Sequence, residues 1–145
     1  MHWACCKTTD FTQEELTHLY MRLSPSRKIR IDRLRRKEDK DRSLAAELLV
    51  YDLLKKHTNI VSAQLHCKEN GQPYLSGCQL HVSISHCGQT VACAISETPV
   101  GIDVERIRPI DLNICRFVCV PEETQYLSTD MQKGRYWVQY VRILP

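Results

Sequence analysis

The fold is decided by residues 80–95, which have the sequence LHVSISHCGQTVACAI. In its first half, Leu80, Val82 and Ile84 alternate with His81 and Ser83, which is the period-two pattern of a strand with one buried face. Its second half, residues 91–95, is short and almost continuously apolar, which also favours a strand. The stretch therefore predicts two consecutive strands with a turn between them.

Before residue 58 the apolar residues recur at helical spacing instead. Helix starts are predicted at Thr12, which forms a capping box with Glu15 and opens a helix through Met21, at Pro25, and at Asp39 or Asp41, which caps a helix over about 41–57. The core face of the longest helix is predicted to hold Leu44, Leu48, Tyr51 and Leu54 or Lys55.

Further strands are predicted after residue 58. Leu65 and Cys67 alternate with polar residues, and Asn70-Gly71 indicates a tight two-residue hairpin turn in which both residues adopt positive φ. Residues 100–105 also have a strand pattern, and helical patterns return around 112–118 and at Pro121. Helices followed by consecutive antiparallel strands predict an α+β domain, in which a small antiparallel sheet packs against helices.

The 145 residues are 43% hydrophobic and 26% charged, which suits one globular domain over 1–145 and excludes wholesale disorder. No apolar run approaches the ~20 residues that span a bilayer, and the first residues do not resemble a signal peptide. We therefore expect a cytoplasmic protein that does not bind membranes. Its eight cysteines are expected to be reduced and mostly buried.

Positive charge is concentrated in residues 22–42, which contain ten Lys or Arg and four acids, a net charge of +6. Such a segment suits a phosphate-bearing ligand or an acidic protein partner, and a solvated helix face is the alternative. Nucleic-acid binding is less favoured, because this segment has no aromatic residue that could stack on a base.

Two acids stand out in residues 100–105. On a strand, Val100, Ile102 and Val104 would share one face, and Asp103 and Glu105 would share the other. The acids would lie roughly 7 Å apart and repel each other unless a cation such as Mg²⁺ binds them. Solvated acids, or acids paired with the nearby Arg106 and Arg108, are the alternatives.

Ser85 and His86 form a second candidate site, at the end of a predicted strand. A hydrolase function is disfavoured, because adjacent residues rarely have the geometry of a nucleophile and its base. Ser85 also lacks the flanking glycines of a nucleophile elbow. A hydroxyl and an imidazole are better suited to binding phosphate oxygens. A turn serine beside a surface histidine is the alternative.

Together these stretches resemble the 4′-phosphopantetheinyl transferases, in the two-lobed branch typified by the surfactin-synthetase activator. Asn70 to Tyr74 is similar to that family's G-K-P motif, Val82 to Gly88 to its F-N-I-S-H-S motif, and Pro99 to Glu105 to its V-G-I-D-V-E motif. The basic segment also resembles the family's N-terminal region, and the motifs follow the family's order.

The resemblance implies a Mg²⁺-dependent holo-[acyl-carrier-protein] synthase, which transfers the phosphopantetheine arm of coenzyme A to a serine of an acyl or peptidyl carrier protein. The residues that it implies are Asp103, Glu105 and Glu122 at the metal, Asp103, Glu105 and His86 in catalysis, and Arg27, Arg30, Arg42, Gln72, Pro73, Ser85 and His86 around coenzyme A.

Two departures from the family pattern qualify this expectation. Gln72 stands where the family usually has a lysine, and Trp137 is not followed by the Lys-Glu of the family's W-x-x-K-E helix. We therefore expect an N-terminal lobe without its second lobe, inactive alone or self-associating through an exposed interface. A non-catalytic lobe that binds coenzyme A or a carrier protein is the first alternative, and a basic nucleic-acid-binding domain is the second.

Overall fold

Within residues 1–105, helices precede residue 58 and most strands follow it, as the change in sequence period predicts. The computed structural model describes residues 1–105, of which 1–104 belong to one unit and Glu105 to a second. The elements in chain order are β1 (His2–Lys7), a 3-10 turn (Thr8–Asp10), α1 (Gln13–Arg22), α2 (Pro25–Asp32), α3 (Lys37–His57), β2 (Gln64–Cys67), β3 (Pro73–Ser76), β4 (His81–Cys87) and β5 (Thr90–Ser96). The predicted α+β class is confirmed.

The strands of the described residues form two antiparallel sheets, one with the order β1-β5-β4 and one made of the β2–β3 hairpin. The predicted strands β4 and β5 are confirmed, and residues 91–96 of the central strand β5 are all buried. Strand β1 has no signal in the sequence analysis. It forms because His2–Lys7 pairs along β5, from His2 opposite Ile95 to Lys7 opposite Thr90.

The two short helices begin where the sequence predicts. The Thr12 hydroxyl accepts a hydrogen bond from the Glu15 backbone N–H at 3.2 Å, and Glu15 Oε2 accepts one from the Thr12 backbone N–H at 2.8 Å. In α2 the Ser24 side chain caps the helix and Pro25 occupies the first turn, where its missing N–H is harmless. The capping box and the proline start are therefore both confirmed.

The long helix α3 differs from its prediction in its start and in its buried surface. It begins at Lys37, about four residues earlier than expected, with Arg36 rather than Asp39 or Asp41 as its N-cap. Asp39 instead lies in the first turn, where a negative charge complements the helix dipole.

Helix α3 also buries two sides rather than one face. One side packs with α1 and α2, in a cluster of Leu16, Leu19, Leu23, Ile31 and Leu44. The other side packs under the sheets, in a cluster that includes Ala45, Leu49, Val50, Leu53, Leu54, Leu65, Val91, Cys93 and Ile95. Of the predicted core face, Leu44 and Leu54 are buried, Leu48 and Tyr51 are half-buried, and Lys55 is exposed.

The β2–β3 hairpin is confirmed, but its predicted two-residue turn is wrong. The Gly71 N–H donates to the Lys68 carbonyl at 3.0 Å, and the Lys68 N–H donates to the Gln72 carbonyl at 2.9 Å. Gly71 has φ +88°, whereas no non-glycine residue in the described part of the chain has positive φ. The loop therefore contains three residues and ends in a glycine bulge, which needs positive φ at one position only.

The predicted strand over residues 100–105 does not form. Instead, the backbone N–H groups of Ile102 and Val104 each donate at 3.1 Å to a serine hydroxyl of β4, Ser83 and Ser85 respectively. The segment therefore runs next to β4 in the same direction, held by side chains rather than by a backbone ladder.

Within residues 1–105 no helix is long and apolar enough to cross a membrane. The cysteine prediction is only partly right, because among the cysteines of this range Cys93 alone is buried, while Cys5 is exposed. The predicted helices around 112–118 and at Pro121, together with Arg106, Arg108, Glu122 and Trp137, lie outside the described residues.

Candidate functional site

A short hydrogen bond joins the two candidate motifs that the sequence analysis treats separately. The Ser85 hydroxyl donates to Asp103 Oδ1 at 2.6 Å and accepts from the Val104 N–H at 3.1 Å. A hydroxyl–carboxylate bond of this length is charge-assisted and strong. Because a hydroxyl has a single hydrogen, Ser85 cannot also donate to a phosphate while it holds Asp103. Its direct role in this structure is to orient the carboxylate.

His86 points away from Ser85, because consecutive strand residues project to opposite faces of a sheet. The Cys93 thiol lies 3.6 Å from the Ala46 carbonyl of α3, so the face of the sheet that carries Cys93 is covered by that helix. His86 pairs with Val91 and lies on this same face, with an exposed side chain at its end. The predicted Ser85–His86 pair is therefore divided between the two faces.

Arg42 reaches the turn that follows His86 from α3. Its Nη1 donates to the Gly88 carbonyl at 2.8 Å, and its Nη2 is paired with Asp39. Its Nε is buried and has no hydrogen-bond partner among residues 1–105. Arg42 therefore holds this turn against α3, and its guanidinium carries one donor that the described residues leave unsatisfied.

Arg27 is engaged in the protein interior rather than exposed to a ligand. It is 7% exposed, and its Nε donates to Glu47 Oε2 at 2.8 Å while its Nη2 donates to the Ser43 hydroxyl at 3.0 Å. Tyr51 donates to the other oxygen of Glu47 at 2.9 Å, and burial beside this carboxylate raises the pKa of Tyr51 to about 12. The charge of Arg27 is thus neutralised by Glu47, and its contacts join α2 to α3.

Arg30 lies one turn further along α2, against the turn of the hairpin. Its side chain is exposed, and a Cβ atom placed on Gly71 would lie 3.7 Å from Arg30 Nη2. Pro73 follows the turn as the first residue of β3 and pairs with Cys67. The structure therefore brings Arg30 next to the Gln72-Pro73 motif.

Lys68 is a residue of this region that the sequence analysis missed. Its Nζ donates to Gln72 Oε1 at 2.9 Å, across the loop of the hairpin. The contact of Lys68 with Gln72 does not follow from the predicted turn, because a two-residue turn at Asn70-Gly71 would place Glu69 opposite Gln72. Because the loop has one residue more, Lys68 lies opposite Gln72 instead.

The acids proposed for a metal are only partly placed by the described residues. Asp103 and Glu105 are both exposed, whereas Glu122 lies outside residues 1–105. No group of three or more metal-ligating side chains occurs within that range. Two carboxylates are nevertheless a donor set that fits Mg²⁺, which typically takes one or two of them and completes its shell with water and phosphate.

Comparison with known proteins identifies the family. Residues 9–98 match the family model described as "4′-phosphopantetheinyl transferase, N-terminal", a match that ends before Asp103. The chain is 31% identical over 123 residues to 4′-phosphopantetheinyl transferase Sfp of Bacillus subtilis (strain 168), covering 82% of this chain and 55% of that protein. It is 36% identical over 100 residues to 4′-phosphopantetheinyl transferase gsp of Aneurinibacillus migulanus, covering 68% and 42% respectively.

A third relative, 4′-phosphopantetheinyl transferase ffp of Bacillus subtilis, is 31% identical over 121 residues, which are 81% of this chain and 54% of that protein. The chain thus spans about half the length of the curated relatives that it matches. The family match covers most of the described residues, including the basic helices and the Ser85-His86 strand. By these matches the chain belongs to the 4′-phosphopantetheinyl transferase family.

Proposed function

We propose that this chain provides the coenzyme A-binding part of a transferase that moves the phosphopantetheine arm of coenzyme A onto a serine of an acyl or peptidyl carrier protein. The observation that carries the proposal is the 2.6 Å hydrogen bond from Ser85 to Asp103, because it joins the phosphate-type motif to the metal-type motif. Family membership and the names of the relatives support the same reaction class.

In this reaction the carrier serine oxygen bonds to the phosphorus next to pantetheine. The bond from that phosphorus to adenosine 3′,5′-bisphosphate breaks, and the serine gives up its proton. Such transfers depend mainly on positioning and on stabilising negative charge. Arg42 would face a phosphate from α3, beside the turn that follows His86, and Arg30 would bind one through its exposed guanidinium beside the hairpin. Arg27 would act indirectly, by fixing α2 against α3.

Asp103 and Glu105, two residues apart in the sequence, would hold Mg²⁺, and Glu122 is a further acid that the family resemblance implies. When bound, the ion would neutralise charge on the diphosphate of coenzyme A. Ser85 would keep the Asp103 carboxylate aimed, because it donates its hydrogen to that carboxylate. His86, on the opposite face of β4, would contact a phosphate from the side that Arg42 reaches.

The test is to measure coenzyme A binding by calorimetry with and without Mg²⁺, and phosphopantetheine transfer to an apo carrier protein. We expect Asp103→Ala to remove the Mg²⁺-dependent part of binding and any transfer. Asp52→Asn is the matched control, because Asp52 pairs with Lys56 on the surface of α3. Binding and transfer that are indifferent to Asp103→Ala would refute the metal assignment.

A non-catalytic lobe that binds coenzyme A or a carrier protein is the second candidate. It predicts that coenzyme A or a carrier protein binds without any transfer. The nucleic-acid alternative predicts strongly salt-dependent DNA binding with no affinity for coenzyme A. The same binding and transfer measurements separate all three.

A further inference from the structure

The turn of the β2–β3 hairpin gathers two positive charges. Arg30 approaches it from α2, with Nη2 3.7 Å from the position that a Cβ on Gly71 would take. Lys68, the residue directly after β2, approaches it from the other side, with Nζ 2.9 Å from Gln72 Oε1. The two cations therefore flank the four residues from Glu69 to Gln72.

Neither cation is neutralised by an acid in the described part of the chain. The ion pairs within residues 1–105 use Arg27, Lys37, Arg42 and Lys56 as their basic partners. Arg30 and Lys68 take part in none of them. Two exposed cations that lie beside the same turn, and that no acid of the described residues neutralises, are suited to bind an anion such as phosphate.

The geometry of the turn fixes which charge Gln72 meets. Because the loop has three residues, the Lys68 N–H bonds to the Gln72 carbonyl, and the two side chains lie opposite each other. The amide oxygen of Gln72 accepts the Lys68 hydrogen bond, so the ammonium lies within bonding distance of the position 72 side chain. Lysine at position 68 thus brings a cation to the place where position 72 itself offers none.

We propose that Lys68, with Arg30, binds a phosphate group of coenzyme A at this turn, and that Lys68 supplies the charge that a lysine at position 72 would otherwise carry. The assignment rests on the proposed function. It assigns a binding role to Lys68, which lies across the hairpin loop from position 72, and it gives Gln72 the role of positioning the Lys68 ammonium. An exposed cross-strand hydrogen bond with no ligand role is the competing explanation.

The experiment measures the affinity of the full chain for coenzyme A and for dephospho-coenzyme A, which lacks the 3′-phosphate. Lys68→Gln should weaken coenzyme A binding about five- to tenfold, the size expected for one exposed charge-assisted contact. The charge-swap variant Lys68→Gln/Gln72→Lys should recover to within about twofold of the unaltered chain, because it returns one cation to the same place. Lys55→Gln, an exposed lysine of α3, is the matched control.

The two ligands identify which phosphate is bound. A Lys68→Gln loss seen only with coenzyme A assigns the 3′-phosphate, and an equal loss with both ligands assigns the diphosphate. The proposal is overturned if the unaltered chain binds coenzyme A and Lys68→Gln binds it equally well. It is also overturned if the charge swap fails to recover binding while circular dichroism shows that the variant is folded. If the unaltered chain binds no coenzyme A, the proposed function fails, and this assignment fails with it.

Discussion

The buried pair of Arg27 and Glu47 allows a sharp test of whether Arg27 supports the fold or binds a ligand. The side chains are 8% and 2% exposed, and they are joined at 2.8 Å. Removing one partner of such a pair leaves the other charge buried and unpaired, which typically costs about 3–5 kcal/mol. A domain of this size is stable by roughly 5–15 kcal/mol, so either single change should take a large part of the folding free energy.

We expect Arg27→Met and Glu47→Leu each to lower the free energy of unfolding by about 3–5 kcal/mol. The double variant should lose less than the two single variants combined, because it buries no unpaired charge. Urea unfolding followed by circular dichroism measures all three. Asp52→Asn is the control, since the Lys56–Asp52 pair is exposed and such pairs contribute about 0–1 kcal/mol.

A structural role for Arg27 is refuted if Arg27→Met lowers the free energy of unfolding by less than about 1 kcal/mol while it strongly weakens coenzyme A binding. A loss that small is typical of an exposed ion pair and too small for a buried one. Arg27 would then be a phosphate ligand, as the family resemblance implies, and its ion pair with Glu47 would not describe the ligand-bound protein.

Four further outcomes are expected. Thr12→Ala should cost about 1 kcal/mol in thermal unfolding, as loss of a helix N-cap does. Hydrogen bonds from Thr12 lower the pKa of Glu15, so the stability that they contribute is fully present above the ordinary carboxyl pKa and is lost as the pH falls through the lowered pKa. The unfolding free energy of a Glu15→Gln variant should therefore depend less on pH in acid. Iodoacetamide should label exposed Cys5 at pH 8 and spare Cys93, whose pKa burial raises to about 12, and rapid labelling of Cys93 in peptide maps would contradict its burial. Ser85→Ala should weaken coenzyme A binding about three- to tenfold, mostly in the presence of Mg²⁺, and an equal loss with and without the ion would mean that Ser85 does not act through its carboxylate partner.

Local patterns predicted the parts of the fold that depend on local interactions. The Thr12 capping box, the proline start of α2 and the alternation in β4 each involve residues within one turn of helix or one strand, so they can be read from neighbours in the sequence. Strand β1 could not, because its exposed residues form a strand only by pairing with β5 some 90 positions away. The start of α3 is predicted too late, because Asp39, which resembles an N-cap in the sequence, lies inside the first turn of the helix.

The geometry of the candidate site could not be predicted from local patterns. Ser85 and Asp103 belong to separate sequence motifs, and only the tertiary structure shows that they are in contact. The sequence does not show that Arg27 is unavailable to a ligand, because nothing in it indicates that Glu47, twenty positions later, is buried against Arg27. Lys68 was missed because one residue of loop length decides whether an acid or a base faces Gln72.

The attachment of residues 100–104 to β4 has a consequence for how this site can be altered. The alignment of the segment that carries Asp103 is set by the spacing of two hydroxyl groups, at Ser83 and Ser85, and not by continuous main-chain pairing. Substitutions at these two serines could therefore loosen or reposition the carboxylate while the three-stranded sheet stays intact. Evolution or protein engineering can in this way tune the reactive edge of the domain independently of the stability of its scaffold.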